Sequence, residues 1–236
     1  MTGSGMNRDI DQLLASHPLP SLRSDRLKQV ETAVLGDLKP VRPLAPEGAY
    51  LAAIAGIFIA VFSLGCYLTG QHGWHALSEL QKFAVFVPLA ASVALLAFSV
   101  VRQMSPARKL ARSSALISAV LFVALLLAML AVFQPAQESA FVRHGMACFR
   151  TGMAFAIPAA LLFALPLHRG AGLSPVLTGA TAGGLAGLAG LAVLEIHCPN
   201  LNVFHIVVWH VSVTVVCVVA GLIFSSVTFR RWNANH

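Results

Sequence analysis

Residues 83–101 read FAVFVPLAASVALLAFSVV, a run of 19 uncharged residues that lies between Lys82 and Arg102. As a helix rising 1.5 Å per residue, this run is long enough to cross a hydrocarbon core about 30 Å thick. Five further apolar runs have similar lengths, and they lie at Ala49–Leu68, Ser113–Phe133, Ala147–Leu167, Leu173–Leu194 and Phe204–Val227. The sequence therefore predicts an all-α polytopic membrane protein, a bundle of six transmembrane helices.

The composition agrees with lipid as the main solvent. The chain is 57% hydrophobic and only 11% charged, and its mean hydropathy is +0.78. Such a chain has too few polar side chains to cover a water-exposed surface, so a soluble protein is excluded. The predicted partner of most of the surface is the lipid bilayer.

The basic residues set the predicted orientation. Thirteen of the sixteen Lys and Arg fall in residues 1–46, in the loop after the second span, after the fourth span and after the sixth. Basic residues concentrate on the cytoplasmic side of membrane proteins, so both termini are predicted to be cytoplasmic. The net charge of +7 then reflects topology and contact with anionic lipid headgroups, and direct nucleic-acid binding is not expected.

This topology divides the chain into a cytoplasmic tail (residues 1–46), a transmembrane domain (47–229) and a short cytoplasmic C-terminus (230–236). The first apolar run begins at Gly48, so we expect no cleaved signal peptide and a first helix that serves as the anchor. The glycines of the fifth span, Gly179, Gly183, Gly187 and Gly190, recur every three or four residues, which favours close helix packing. The alternative to packing within the chain is a homodimer that forms through this glycine face.

The tail is predicted to form two short amphipathic helices followed by a stiff tether. The first covers residues 7–16, and Ser24 is positioned to cap the second. Prolines at three-residue spacing in residues 37–46 then favour an extended spacer. An apolar stripe on so short a helix calls for a partner or a membrane surface. The candidate partner-binding residues are Leu27, Val30, Val34 and Leu38, together with Arg42 of the tether.

Cysteine and histidine residues collect near the ends of spans four to six on the extracytoplasmic side. Thiolate and imidazole suit zinc and copper, so Cys148 and Cys198 with one or two of His144, His197 and His205 are candidate ligands of a transition metal. The pair Cys148 and Cys198 could equally form a disulfide in an oxidising envelope. Residues five apart lie about 140° apart on a regular helix, so His205 and His210 are not expected to share one ion.

The same residues can also be interpreted as structural, without a functional site. Cys198-Pro199-Asn200 could be a turn that begins the last helix, with His197 and His205 as interfacial polar residues. Neither a CxxC nor an HExxH pattern is present, so no enzyme class is indicated. Three functions remain open on the residues alone: a signalling protein without catalysis, a membrane redox or metal-binding protein that uses the Cys/His cluster, and a structural subunit.

Three segments resemble a known family, the six-span bacterial membrane anti-sigma factors of the NrsF-like type. They are the run Leu38-Lys39-Pro40-Val41-Arg42-Pro43-Leu44, Cys148, and Cys198 with the later His205 and Trp209-His210. The resemblance implies a protein of the bacterial inner membrane whose tail sequesters an extracytoplasmic-function sigma factor. It also implies that Cys148 and Cys198 take part in sensing an envelope signal, such as a metal or an oxidant.

Overall fold

The computed structural model describes residues 24–37, 45–104, 111–167 and 175–234, and these ranges are almost entirely helical. The chain divides into two units, residues 1–43 and 44–236. The helices are α1 (Ser24–Asp37), α2 (Glu47–Thr69), α3 (His72–Ala76), α4 (Glu79–Gln103), α5 (Ala111–Val132), α6 (Phe141–Leu167), α7 (Pro175–His197), α8 (Val203–His205) and α9 (Val211–Ala234), with a π-helical turn at Ile206–His210 between the last two. The predicted all-α class is confirmed.

The first unit contributes α1, which confirms the predicted second helix of the tail. Leu27, Val30 and Val34 recur in it at intervals of three and four residues, and the Val30 side chain is 61% exposed. The predicted first tail helix, most of the tether, Leu38 and Arg42 lie outside the described residues.

Five helices of the second unit are long and apolar enough to cross a membrane: α2, α4, α6, α7 and the segment Val203–Val227 that includes α8, the π-helical turn and most of α9. They correspond to five of the six predicted spans, and they identify a membrane protein. The third predicted span falls on α5, whose described portion Leu116–Val132 is also apolar. The count of six spans and the cytoplasmic side of the tail stay predictions.

Helix α7 is the central helix of the second unit. It packs against α9, α6, α4, α2 and α3, and every residue from Gly183 to Ile196 is buried. A helix surrounded on all sides must be apolar or small all round, which explains why α7 has so many alanines and glycines.

The glycines of α7 allow this close packing within the chain. A Cβ added at Gly187 would lie 2.5 Å from Cα of Thr214 in α9, and one added at Gly190 would lie 2.5 Å from the carbonyl oxygen of Gly152 in α6. A Cβ at Gly183 would overlap the carbonyl oxygen of Cys217. The predicted packing role is confirmed, and this face is filled by helices of the same chain rather than left for a second copy.

Candidate functional site

Two cysteines and two histidines meet where α7 ends and α8 begins. Cys148 comes from the second turn of α6, Cys198 follows α7, and His205 and His210 flank the π-helical turn. One ligand atom from each of these four residues lies within 4.8 Å of the other three. We call this group the Cys/His cluster. Cys198, His205 and His210 are buried, and Cys148 is half-buried.

The π-helical turn is what brings His210 into the cluster. In a π-helix the hydrogen bonds run between residues five apart, so such residues lie on the same face. The rings of His205 and His210 are accordingly 5.3 Å apart between centroids, at 86°. The prediction that they would not share one ion assumed a regular α-helix, and this segment does not form one. Single π-helical turns within α-helices are frequent at functional sites.

The two thiols face each other. Sγ of Cys148 lies 3.5 Å from Sγ of Cys198, so they are in contact without a bond between them. The hydrogen bond with the Cys148 sulfur, together with burial, raises the pKa of the Cys198 thiol above its ordinary value. Sγ of Cys198 also lies 3.7 Å from Nε2 of His205. The sequence placed the two cysteines at matched depth, and the structure brings them into contact.

A buried carboxylate orients His210. Its Nδ1 donates to Oε1 of Glu195 at 2.8 Å, and both side chains are at most 2% exposed. Nε2 of His210 is buried and makes no hydrogen bond to any described residue. The Glu195 contact therefore fixes the ring with its second nitrogen directed away from the carboxylate.

A second carboxylate orients His205. Nδ1 of His205 donates to Oε2 of Glu138 at 3.2 Å, while Oε1 of Glu138 accepts from Nδ1 of His144 at 3.1 Å. Burial alone would raise the pKa of Glu138, but hydrogen bonds from Asn200 and His144 and the nearby His205 hold that pKa below its ordinary value. Glu138 is thus an ionised acceptor beside the cluster.

Two loops cover the cluster, and Asn202 joins them. Its side-chain amide donates to the carbonyl oxygen of Ala136 at 2.8 Å and accepts from the Ala136 N–H at 3.3 Å. The same side chain caps α8 by accepting from the N–H of Phe204. Gly73 closes the third side, because a Cβ there would lie 2.5 Å from the carbonyl oxygen of Cys198. The cover restricts the access of water.

Two of the predicted metal ligands point elsewhere. His144 is 55% exposed and bonded to Glu138, and Nδ1 of His197 lies 2.8 Å from the carbonyl oxygen of Thr69 at the end of α2. The structure therefore brings together Cys148, Cys198 and His205 of the predicted set, adds His210, and leaves His144 and His197 outside the cluster. Among the candidate partner-binding residues, Leu27, Val30 and Val34 lie on α1 in the other unit.

Comparison with known proteins gives one match. The model of the family described as NrsF, negative regulator of sigma F, matches residues 35–232. The chain belongs to the NrsF family. No curated protein and no solved structure matches it. By this description, NrsF proteins are negative regulators of a sigma factor, which implies a sigma factor as the partner of the chain. The matched residues include the whole Cys/His cluster.

The candidate site predicted from the sequence left out three residues of this NrsF-family site, and it set one of them, His210, aside on the geometry of a regular helix. Glu138 and Glu195 carry the acceptors that orient the histidines, and His210 contributes a ring nitrogen. Glu195 had a visible signal, since it is the only acidic residue within α7 and precedes Cys198 by three positions. Glu138 had none, because its role depends on how two loops meet.

Proposed function

We propose that this protein is a membrane anti-sigma factor that sequesters an extracytoplasmic-function sigma factor through its N-terminal tail. The observation that carries this proposal is the family match over residues 35–232 in a chain with several membrane-capable helices. In this proposal the chain spans the inner membrane six times with both termini in the cytoplasm, and it controls transcription through the sigma factor without touching DNA. Release of the sigma factor under envelope stress would turn on its genes.

Helix α1 supports the tail as the binding element. Fourteen residues are marginal for an isolated helix in water, so most of the stability of such a helix must come from packing its apolar face. Val30 exposes 61% of its surface. An amphipathic helix laid into an apolar groove is a common way to bind a protein partner, with anchors at the spacing of Leu27, Val30 and Val34.

The thiol pair supports a sensing role. Cys148 lies on α6, and Cys198 lies at the end of α7, so any reaction that joins or separates the two sulfurs acts on both helices. A metal or an oxidant could do this, since both act on thiols. Helices α6 and α7 both pack on α2, the helix that follows the tether.

One hydrogen bond offers a coupling route from the sensor to the tail. His197, next to Cys198, contacts the carbonyl oxygen of Thr69 at the end of α2. Cys198 is the next residue after His197, and α2 is continuous in sequence with the tether at Pro46. A change at the thiols would therefore shift α2 and, with it, the presentation of the tail. The physical basis of this coupling route is a contiguous chain of packed elements.

Co-purification tests the sequestration. We expect the full-length tagged protein to retain a sigma factor from the cells that express it, identified by mass spectrometry. We expect the amount of sigma factor retained by Val30→Asp to be at least about tenfold lower, because a charge is costly to bury. Gln29→Asp, which adds the same charge to the opposite face of α1, is the matched control. Equal retention by both variants, or no sigma factor with the unmodified protein, would contradict the proposal.

A sigma-dependent reporter tests the sensing. Cys148→Ser and Cys198→Ser are expected to change the response to metal or oxidant alike, since each removes one half of the same contact. Cys66→Ser is the control because Cys66 lies on α2, outside the cluster. A response that survives both substitutions at unchanged protein level would remove the thiol pair from the signalling model.

A further inference from the structure

Two of the distances between side chains of the Cys/His cluster match tetrahedral coordination. With metal–sulfur distances of about 2.3 Å and metal–nitrogen distances of about 2.0–2.1 Å, a tetrahedral centre holds two sulfurs about 3.8 Å apart and a sulfur and a nitrogen about 3.6 Å apart. The corresponding distances here are 3.5 Å between the two sulfurs and 3.7 Å between Sγ of Cys198 and Nε2 of His205. A disulfide would bring the sulfurs to about 2.05 Å, so the two thiols are in contact here without a bond between them.

Both imidazoles are oriented as metal-bound histidines usually are. A ligand histidine almost always donates its other ring N–H to a carboxylate, a backbone carbonyl or water. Here Nδ1 of His205 donates to Glu138 and Nδ1 of His210 donates to Glu195, which leaves both Nε2 atoms for the cluster. Nε2 of His210 is buried and without a hydrogen bond to any described residue, a costly state that a bound cation would relieve.

The charge balance selects a divalent cation. Two thiols that bind an ion M²⁺ release two protons to solvent, and the two thiolates cancel the charge of the ion. A monovalent ion would leave one negative charge beside the carboxylates of Glu195 and Glu138, in a place where the cost of burying charge is high. Thiolate with imidazole favours soft or borderline metals, and four protein ligands make a closed site.

We propose that Cys148, Cys198, His205 and His210 form a closed tetrahedral site for a soft divalent d¹⁰ cation, zinc or its heavier congener cadmium. The idea that this metal is the signal for the anti-sigma factor rests on the proposed function. The binding of the metal does not depend on that function. Occupation of the site ties α6, the end of α7 and the π-helical turn to one ion.

The test is metal analysis of the full-length protein purified in detergent, loaded with Zn²⁺ or Cd²⁺ and washed. We expect one ion per chain, and X-ray absorption of the zinc form is expected to give two sulfur and two nitrogen neighbours. Each of Cys148→Ser, Cys198→Ser, His205→Gln and His210→Gln should weaken binding by more than the roughly 10- to 100-fold that loss of an orienting partner costs. X-ray absorption reads the ligand set of the unmodified chain, so the test does not depend on the variants folding.

Two control variants separate this site from other ligand sets. Cys66→Ser removes a cysteine outside the cluster and should bind zinc like the unmodified protein. His144→Gln removes only the exposed partner of Glu138, so it should bind zinc far more tightly than His210→Gln does. Loss of binding in His144→Gln comparable to that in His210→Gln would overturn the assignment. So would a coordination shell without sulfur, or a chain that binds no ion and whose Cys148 and Cys198 form a disulfide on mild oxidation.

Retention of the sigma factor is measured on the same preparations. A chain that retains a sigma factor but binds no ion keeps the proposed function and loses this inference. A chain that binds the ion with the expected ligands but retains no sigma factor keeps the metal site and loses the anti-sigma function. The two failures are therefore distinguishable.

Discussion

The two ends of helix α7 both bury polar side chains, but they bury different kinds. Near its first turns, Gln103 of α4 donates to Ser99 at 3.2 Å and to Thr181 at 3.4 Å, and it accepts from Thr178 at 2.9 Å. Near its last turns lie Glu195 and the Cys/His cluster. The first group is neutral, whereas the second contains carboxylates, imidazoles and thiols.

The difference lies in where the hydrogen bonds point. In the Gln103 group the polar side chains bond to one another across α4 and α7, so the group completes a helix contact. In the Cys/His cluster the carboxylates take the Nδ1 atoms, and the sulfurs and the Nε2 atoms converge on one point. This convergence is what distinguishes the proposed metal site from the Gln103 group.

The largest effect is expected for Glu195→Ala. This change leaves the Nδ1 donor of His210 buried without its acceptor. An unsatisfied buried donor costs about 1–3 kcal/mol, and the cost is at the upper end here because the lost acceptor is a carboxylate. Unfolding of the purified protein in detergent, followed by circular dichroism, measures the loss. Glu195→Gln is the milder companion, because its amide oxygen keeps an acceptor for Nδ1 of His210. A loss below about 1 kcal/mol for Glu195→Ala would show that water replaces the carboxylate.

The helices could be predicted from the sequence because lipid imposes a simple rule. A span must be long, helical and apolar, and these properties can be read one residue at a time. Boundaries agree closely where a polar residue ends the run, as at Glu47 and Thr69 of α2. The third span follows the same rule, since the described portion of α5, Leu116–Val132, is apolar as well.

The site could be predicted only in part, because it depends on geometry that no periodicity encodes. Depth along the spans was enough to pair Cys148 with Cys198. The π-helical turn places His210 on the same helix face as His205. A prediction that assumes the 100° rotation per residue of a regular α-helix cannot anticipate this. His144 and His197 have the right chemistry near the right depth, yet hydrogen bonds to Glu138 and Thr69 hold them elsewhere.

An intermediate effect is expected for Gly183→Ala, in the stretch of α7 that joins the two ends. The added Cβ would overlap the carbonyl oxygen of Cys217, and overpacking of this kind costs about 1–3 kcal/mol. Gly56→Ala is the matched control, since a Cβ at Gly56 of α2 meets nothing within 4 Å. The same unfolding assay compares them. If the two variants are equally stable, α7 and α9 can separate at this point without cost.

The smallest effect is expected for Gln103→Leu. Leucine fills a similar volume, and the hydroxyls left behind have other acceptors: Thr181 already donates to the carbonyl oxygens of Leu177 at 2.9 Å and Thr178 at 3.1 Å. Hydrogen bonds between membrane helices are worth about 0.6 kcal/mol on average, which sets the expected loss. A loss for Gln103→Leu as large as that for Glu195→Ala would erase the difference between the two ends, because it would mean that the neutral group too holds a charge or a ligand in place.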